Sequence, residues 1–149
     1  MASTTTPRYV TPTRGDELFN RIVGALVRRG VSVFGARVLV VRGRRSGAPR
    51  STVVNLLEAD GTRYLVAPRG QTQWVRNVRA AGEAELRVGR RAEAVTLREL
   101  ADADKAPVLR AYLKRWGWEV GRFFEGVDRH ADDATLAAMA PNFPVFELC

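Results

Sequence analysis

Apolar residues along this chain fall first into a four-residue rhythm and then into short unbroken runs. Between Asp16 and Arg29, Leu18, Ile22 and Leu26 recur every fourth position, with Phe19, Val23 and Val27 in a parallel row. That spacing predicts an amphipathic helix, with Asp16 and Glu17 near its positive end, Arg28 and Arg29 in its last turn and Gly30 as its stop. Val38–Val41 is then wholly apolar, Val53-Val54 and Leu56-Leu57 nearly make a second run, and Tyr64–Ala67 is a third. Short Val-rich runs bounded by Gly, Pro and Arg predict buried strands. Asp60-Gly61 supplies the positive φ that a tight hairpin needs. Gln73 to Ala80 reads as a short helix carrying Trp74, Asn77 and Val78, with Arg76 and Arg79 outward and Gly82 at its end. Ala84, Leu86 and Val88 then alternate with Glu83, Glu85 and Arg87, the period of a half-exposed strand. After a turn at Gly89-Arg90-Arg91, Ala92 to Leu100 returns beside it. Strands joined mostly by hairpins favour an antiparallel sheet or small barrel over a βαβ fold.

The last third is helical in pattern. Ala106, Leu109, Leu113 and Trp116 share one side of a helix, and Pro107 must lie in its first turn, which makes Asp104 the expected cap. Trp116-Gly117-Trp118 interrupts that pattern, and Val120–Phe124 adds a further turn. Asp132 or Asp133 caps Ala134–Ala140, closed by Pro141. Phe143–Leu148 alternates like a strand, but Pro144 confines it to an edge. The expectation is an α+β chain: about six antiparallel strands, an N-terminal amphipathic helix and C-terminal helices. Residues 1–14, rich in Ser, Thr and Pro, read as a flexible leader, and 15–149 as a single domain.

Composition narrows the function. A hydrophobic content of 46% and a charged content of 27% suit a soluble globular protein. Twenty-four Lys+Arg against sixteen Asp+Glu leave a net charge of +8, which calls for an anionic partner. The basic residues are spread along the chain without a nucleic-acid motif, so specific nucleic-acid binding is not expected. A basic amphipathic first helix suits a membrane surface too, but packing against the sheet is the favoured reading. Cys149 is the single cysteine, which excludes an internal disulfide and a cysteine metal cluster, and a reducing cytoplasm is the simplest setting. His130, the single histidine, reads as a solvated loop residue. No nucleotide-binding glycine motif and no carboxylate pair announces itself, so a bound cofactor must carry any reactive chemistry.

Two loops suggest what that cofactor is. Arg42 to Arg50 holds four arginines in nine residues. Arg44, Arg45, Ser46 and Arg50, with the amides near Gly43 and Gly47, make a donor set suited to phosphate or carboxylate. Pro68, Arg69, Gly70, Gln71 and Thr72 repeat the recipe, and Trp74 follows with a flat apolar face. Together they suit a ligand with a charged tail and a planar head.

The stretches GRRSGAPR, APRGQTQWVRNVRAAG and EAELRVGRR closely resemble the deazaflavin-dependent nitroreductase family, with the match best from Arg37 to Leu100. The resemblance implies an actinobacterial oxidoreductase with a split β-barrel fold that uses coenzyme F420, with FMN the less favoured cofactor. It further implies that Arg44, Arg45, Ser46, Gly47 and Arg50 grip the phosphate and oligoglutamate tail. Pro68, Arg69, Gly70, Gln71, Thr72, Trp74 and Asn77 would flank the deazaflavin head. The implied reaction passes a hydride to a small electron-poor acceptor: a nitro compound, a quinone or an activated alkene. A coenzyme carrier of the same fold is the alternative. The family often has Lys where this chain has Arg45, and often an aromatic residue near Asn55 that is missing here. Tyr112 and Trp116 are the candidates for a substrate wall. The sequence is silent on oligomeric state.

Overall fold

The computed structural model describes residues 35–124 and 127–149. The leader expected at residues 1–14 and the helix expected at 16–29 lie outside the described residues. Six strands, β1 (Ala36–Arg42), β2 (Pro49–Ala59), β3 (Thr62–Val66), β4 (Glu83–Val88), β5 (Arg91–Glu99) and β6 (Val145–Leu148), close into a barrel in the order β1-β2-β3-β6-β5-β4. Every neighbouring pair is antiparallel. Three α-helices are described: α1 (Gln73–Ala81), α2 (Ala106–Val120) and α3 (Asp133–Met139), with 3-10 turns at Asp102–Asp104, Gly121–Phe124 and Ala140–Asn142. The arrangement is the small antiparallel barrel that the strand pattern predicts, and it fits the split barrel that the family resemblance implies.

Strand alternation divides the apolar residues between two cores. Leu39, Val41, Val54, Leu65, Leu86, Val95, Leu97, Phe146 and Leu148 point into the barrel, where Val75 and Val78 of α1 join them. Leu57, Val66 and Val145 face the other way and pack under α2 and α3 against Leu109, Leu113, Leu136 and Phe143. Strands β3 and β6 thus bury both faces, which is why Tyr64–Ala67 reads as a continuous apolar run rather than an alternating one.

The turns follow their chemistry. Asp60 at φ 51° and Gly61 at φ 77° close the β2–β3 hairpin with Ala59 opposite Thr62. Gly82, at φ 72°, ends α1, its amide donating to the Val78 carbonyl at 2.7 Å. The Asp132 carboxylate caps α3 by accepting from the Thr135 amide at 2.8 Å. Trp116 breaks the helical run with φ −130° and ψ 16°.

Two expectations need correction. The last strand is not an edge: β6 pairs with both β3 and β5, and Pro144 lies just ahead of the paired residues, so its missing amide costs no ladder bond. The Pro144 carbonyl instead accepts from the Ala67 amide at 2.9 Å. Asp104 does not cap α2. It belongs to the preceding 3-10 turn, and the Lys105 carbonyl accepts the first helical bond, from Leu109, at 2.9 Å. The buried Lys105 ammonium ties this corner by donating to Asp102 at 2.7 Å and to the Ala140 carbonyl at 3.0 Å. Tyr112 and Trp116, expected at a substrate wall, are core side chains, 2% and 1% exposed, with ring centroids 5.2 Å apart. Their aromatic bulk fills the space between α2 and the barrel.

Candidate functional site

The two arginine-bearing loops flank one helix. The first, between Arg42 and Pro49, is a compact turn in which the Gly43 amide donates to the Ala48 carbonyl at 2.8 Å and the Gly47 amide to the Gly43 carbonyl at 2.9 Å. A β-carbon at Gly43 would lie 3.1 Å from the Ser46 hydroxyl and 3.2 Å from the Ala48 carbonyl, so only glycine fits without displacement. Gly47 takes φ 72°. These amides were expected to face an anion. Instead they hold the loop in shape, because a short turn must satisfy its own backbone first.

The side chains of this loop separate into two groups. Arg44 is half-buried, and its backbone amide (3.1 Å) and Nη1 (2.8 Å) both donate to Oδ1 of Asn77, which is 4% exposed on α1. Arg45, Ser46 and Arg50 stand in solvent. The Ser46 hydroxyl accepts from the Ala48 amide at 3.2 Å and keeps its own proton free to donate. Several ion pairs elsewhere tie a cation on one element to a carboxylate on another, as in Arg63–Glu93 and Arg98–Glu147. Among the described residues, Arg42, Arg45, Arg50 and Arg76 have no carboxylate partner. Uncompensated positive charge is thus present at the first loop and on the exposed side of α1, as it also is at the β4–β5 turn (Arg90, Arg91) and around Lys114, Arg115 and Arg129.

The second loop is more deeply set. Gly70 takes φ 86°, its amide donating to the Ala67 carbonyl at 3.2 Å, and the Thr72 amide donates to the Gly70 carbonyl at 2.8 Å. Arg69 lies over the Phe123 ring, 4.7 Å from its centroid. Gln71 is 9% exposed, and its side-chain carbonyl accepts from Nη1 of Arg79. Arg79 also forks onto Glu99 of β5, with Nε at 2.8 Å and Nη2 at 2.7 Å. The hydrogen bond to Glu99 holds the Arg79 guanidinium above its ordinary pKa.

Thr72 sits at the N-terminus of α1 without capping it, and its hydroxyl is buried with no partner among the described residues. No acidic residue lies in the first turn of that helix. An unpaired buried hydroxyl costs about 1–3 kcal/mol, a deficit that a polar ligand would relieve. Trp74, half-buried, packs against the barrel core with its ring 5.8 Å from Phe146.

The structure thus brings Arg44 to Asn77 across 33 residues and seats Gln71, Thr72 and Trp74 at the start of the same helix. Sequence reasoning missed Arg79, Glu99 and Phe123. Arg79 was read only as outward-facing, and nothing in the spacing announces its bond to Gln71. A separate hollow of about 530 Å³ is lined by Arg110, Lys114, Arg129 and His130. None of its residues belongs to the loops, and Arg110 there is engaged by Asp133 at 2.9 Å. His130 is exposed, as expected. No group of three or more metal-ligating side chains occurs among the described residues.

Comparison with solved structures supports the fold. An F420-H2 dependent reductase shares 18% identity over 77% of this chain and 94% of its own, with a TM-score of 0.55. A structure described as a domain-swapped dimer shares 17% identity over 92% and 100%, with a TM-score of 0.57. A protein of unknown function from Agrobacterium tumefaciens str. C58 shares 17% over 96% and 58%, also at 0.57. Curated proteins offer no match to this sequence. The profile of the F420H(2)-dependent quinone reductases matches residues 15–130, which takes in both loops, α1 and most of the barrel. The chain belongs to that family and is an F420-dependent oxidoreductase.

Proposed function

We propose that this protein holds reduced F420 across the two loops and passes its hydride to a small electron-poor acceptor. The residues present fit such a molecule: guanidinium groups with no carboxylate partner among the described residues stand at one end of the site, and a buried hydroxyl with no partner there and an indole face stand at the other. Arg45 and Arg50, with the Ser46 hydroxyl, would take the anionic tail. Arg44 shapes the loop through Asn77. Trp74 would lie against the ring, and the Thr72 hydroxyl would donate or accept one hydrogen bond at its edge. The bound cofactor supplies the hydride for a quinone, a nitro compound or an activated alkene. The chain's part is to orient the two reactants and to keep water from between them, with the apolar side chains of Trp74 and Phe146 as the dry wall.

No helix among the described residues is long and apolar enough to cross a membrane, and Cys149 is an exposed free thiol. The observation that carries the proposal is the pair of uncompensated arginines, Arg45 and Arg50, on the loop beside α1. Fluorescence titration with F420 tests it directly. The double substitution Arg45→Ala/Arg50→Ala should weaken binding by about 2–4 kcal/mol, with most of the loss absent for an analogue that lacks the tail. Equal affinity in the variant and the wild type would refute the tail assignment.

A further inference from the structure

We infer that Arg79 is a positioning residue for the cofactor site, pinning the second loop to the barrel without touching the ligand itself. The inference rests on the reading that this loop flanks the ring. Its structural part stands on the hydrogen bonds alone.

Arg79 uses its guanidinium on both sides. One edge forms parallel bonds to the two oxygens of Glu99, at 2.8 and 2.7 Å, and Nη1 donates to the Gln71 carbonyl. Glu99 is the last residue of β5, and the next amide, that of Leu100, donates to the Val145 carbonyl at 2.9 Å beside β6. The anchor is therefore fixed to the barrel wall. Gln71 lies between Gly70, at φ 86°, and Thr72, the residue with the orphaned hydroxyl. A buried amide carbonyl deprived of its donor carries the full cost of desolvation, so without Arg79 the loop must rotate to find water. That rotation would carry Thr72 with it.

Lysine cannot replace this arrangement. One ammonium reaches Glu99, but it lacks the planar fork that serves Glu99 and Gln71 together. The helix holds the other loop by the same principle, through Asn77 and Arg44. Thus α1 is a shared frame: Asn77 sets the first loop and Arg79 the second.

The test compares wild type, Arg79→Met, Arg79→Lys, Gln71→Ala and Arg79→Met/Gln71→Ala. The readouts are F420 affinity by fluorescence titration, thermal stability, and hydrogen exchange at the Gly70 and Thr72 amides. Arg79→Met should weaken F420 binding about tenfold, the scale of one lost charge-assisted hydrogen bond, and speed exchange at both amides. Arg79→Lys, which keeps the ion pair with Glu99, should retain thermal stability yet lose affinity. Adding Gln71→Ala to Arg79→Met should cost little more, because both changes cut one tie. Wild-type affinity in Arg79→Lys, or losses that multiply in the double variant, would overturn the inference. Should the wild type itself fail to bind F420, the reading of the site falls, and exchange alone decides the pin: faster at Gly70 and Thr72 in Arg79→Lys supports it, unchanged exchange refutes it.

Discussion

The two loops that flank α1 have similar composition and opposite character. In the first, Arg45, Ser46, Gly47 and Arg50 are exposed, and the backbone spends its amides on its own turn. In the second, Gly70 and Gln71 are buried, Arg69 lies on Phe123, and the Thr72 hydroxyl is shut away from water. One loop presents charge to solvent, where it acts at a distance and is screened by salt. The other presents a fitted surface whose contacts act only on touching. Attraction and fit are thus separated along the site, which suits a ligand whose charge lies at one end and whose reactive ring lies at the other.

Salt breaks this comparison most sharply. Raising ionic strength from about 0.1 M to about 1 M shortens the screening length from ~10 Å to ~3 Å. The wild type should lose much of the 2–4 kcal/mol credited to Arg45 and Arg50, while Arg45→Ala/Arg50→Ala, titrated in parallel, should hardly respond. Trp74→Ala should behave in the opposite manner. It should cost about 1.5 kcal/mol in affinity for both the full cofactor and a tail-less analogue, with little salt dependence. A Trp74→Ala effect confined to the full cofactor would reverse the assignment of head and tail.

Thr72→Val gives a smaller change with an informative sign. The side chain keeps its shape and loses the orphaned hydroxyl, so the free protein should gain about 1 kcal/mol of stability while F420 binding weakens by a similar amount. Thermal unfolding with and without F420 reads both terms. A fall in the stability of the free protein would show that the hydroxyl has a partner there.

The smallest effect is far from both loops. Arg63 forks onto Glu93 at 2.8 and 2.7 Å and holds that carboxyl below its ordinary pKa. A depressed folded pKa means stability that is fully present above the unfolded value of 4.5 and is lost as pH falls through the lower folded value. Glu93→Gln should therefore cost at most about 1 kcal/mol at neutral pH, since the pair is largely exposed, and nothing once the carboxyl is protonated. Denaturant unfolding across that acid range provides the check, with F420 affinity unchanged throughout.

Local chemistry was legible in the sequence. The apolar runs at Val38–Val41 and Tyr64–Ala67, the Asp60-Gly61 turn, the Gly82 stop, the break within Trp116–Trp118 and the cap at Asp132 or Asp133 each depend on a few neighbouring residues, and the structure has each there, the last two at Trp116 and Asp132. What stayed hidden depends on closure of the barrel. Insertion of β6 between β3 and β5 converts an apparent edge strand into a central one. The same closure brings Glu99 to Arg79, and packing of α1 on the barrel brings Asn77 to Arg44. Tyr112 and Trp116 show the same limit of the pattern: aromatic residues at helical spacing look alike whether they line a pocket or fill a core. The loops announced their donors, but which donors remain free was decided by a helix 33 residues away from Arg44.

A crystal structure of the protein with F420 bound tests the central claim most directly. The account predicts the tail within hydrogen-bonding distance of the Arg45 and Arg50 guanidinium groups, the ring against Trp74, and the Thr72 hydroxyl bonded to the ligand. A cofactor seated elsewhere, in the hollow lined by Arg110, Lys114 and Arg129 for instance, with Arg45 and Arg50 still in open solvent, would contradict it.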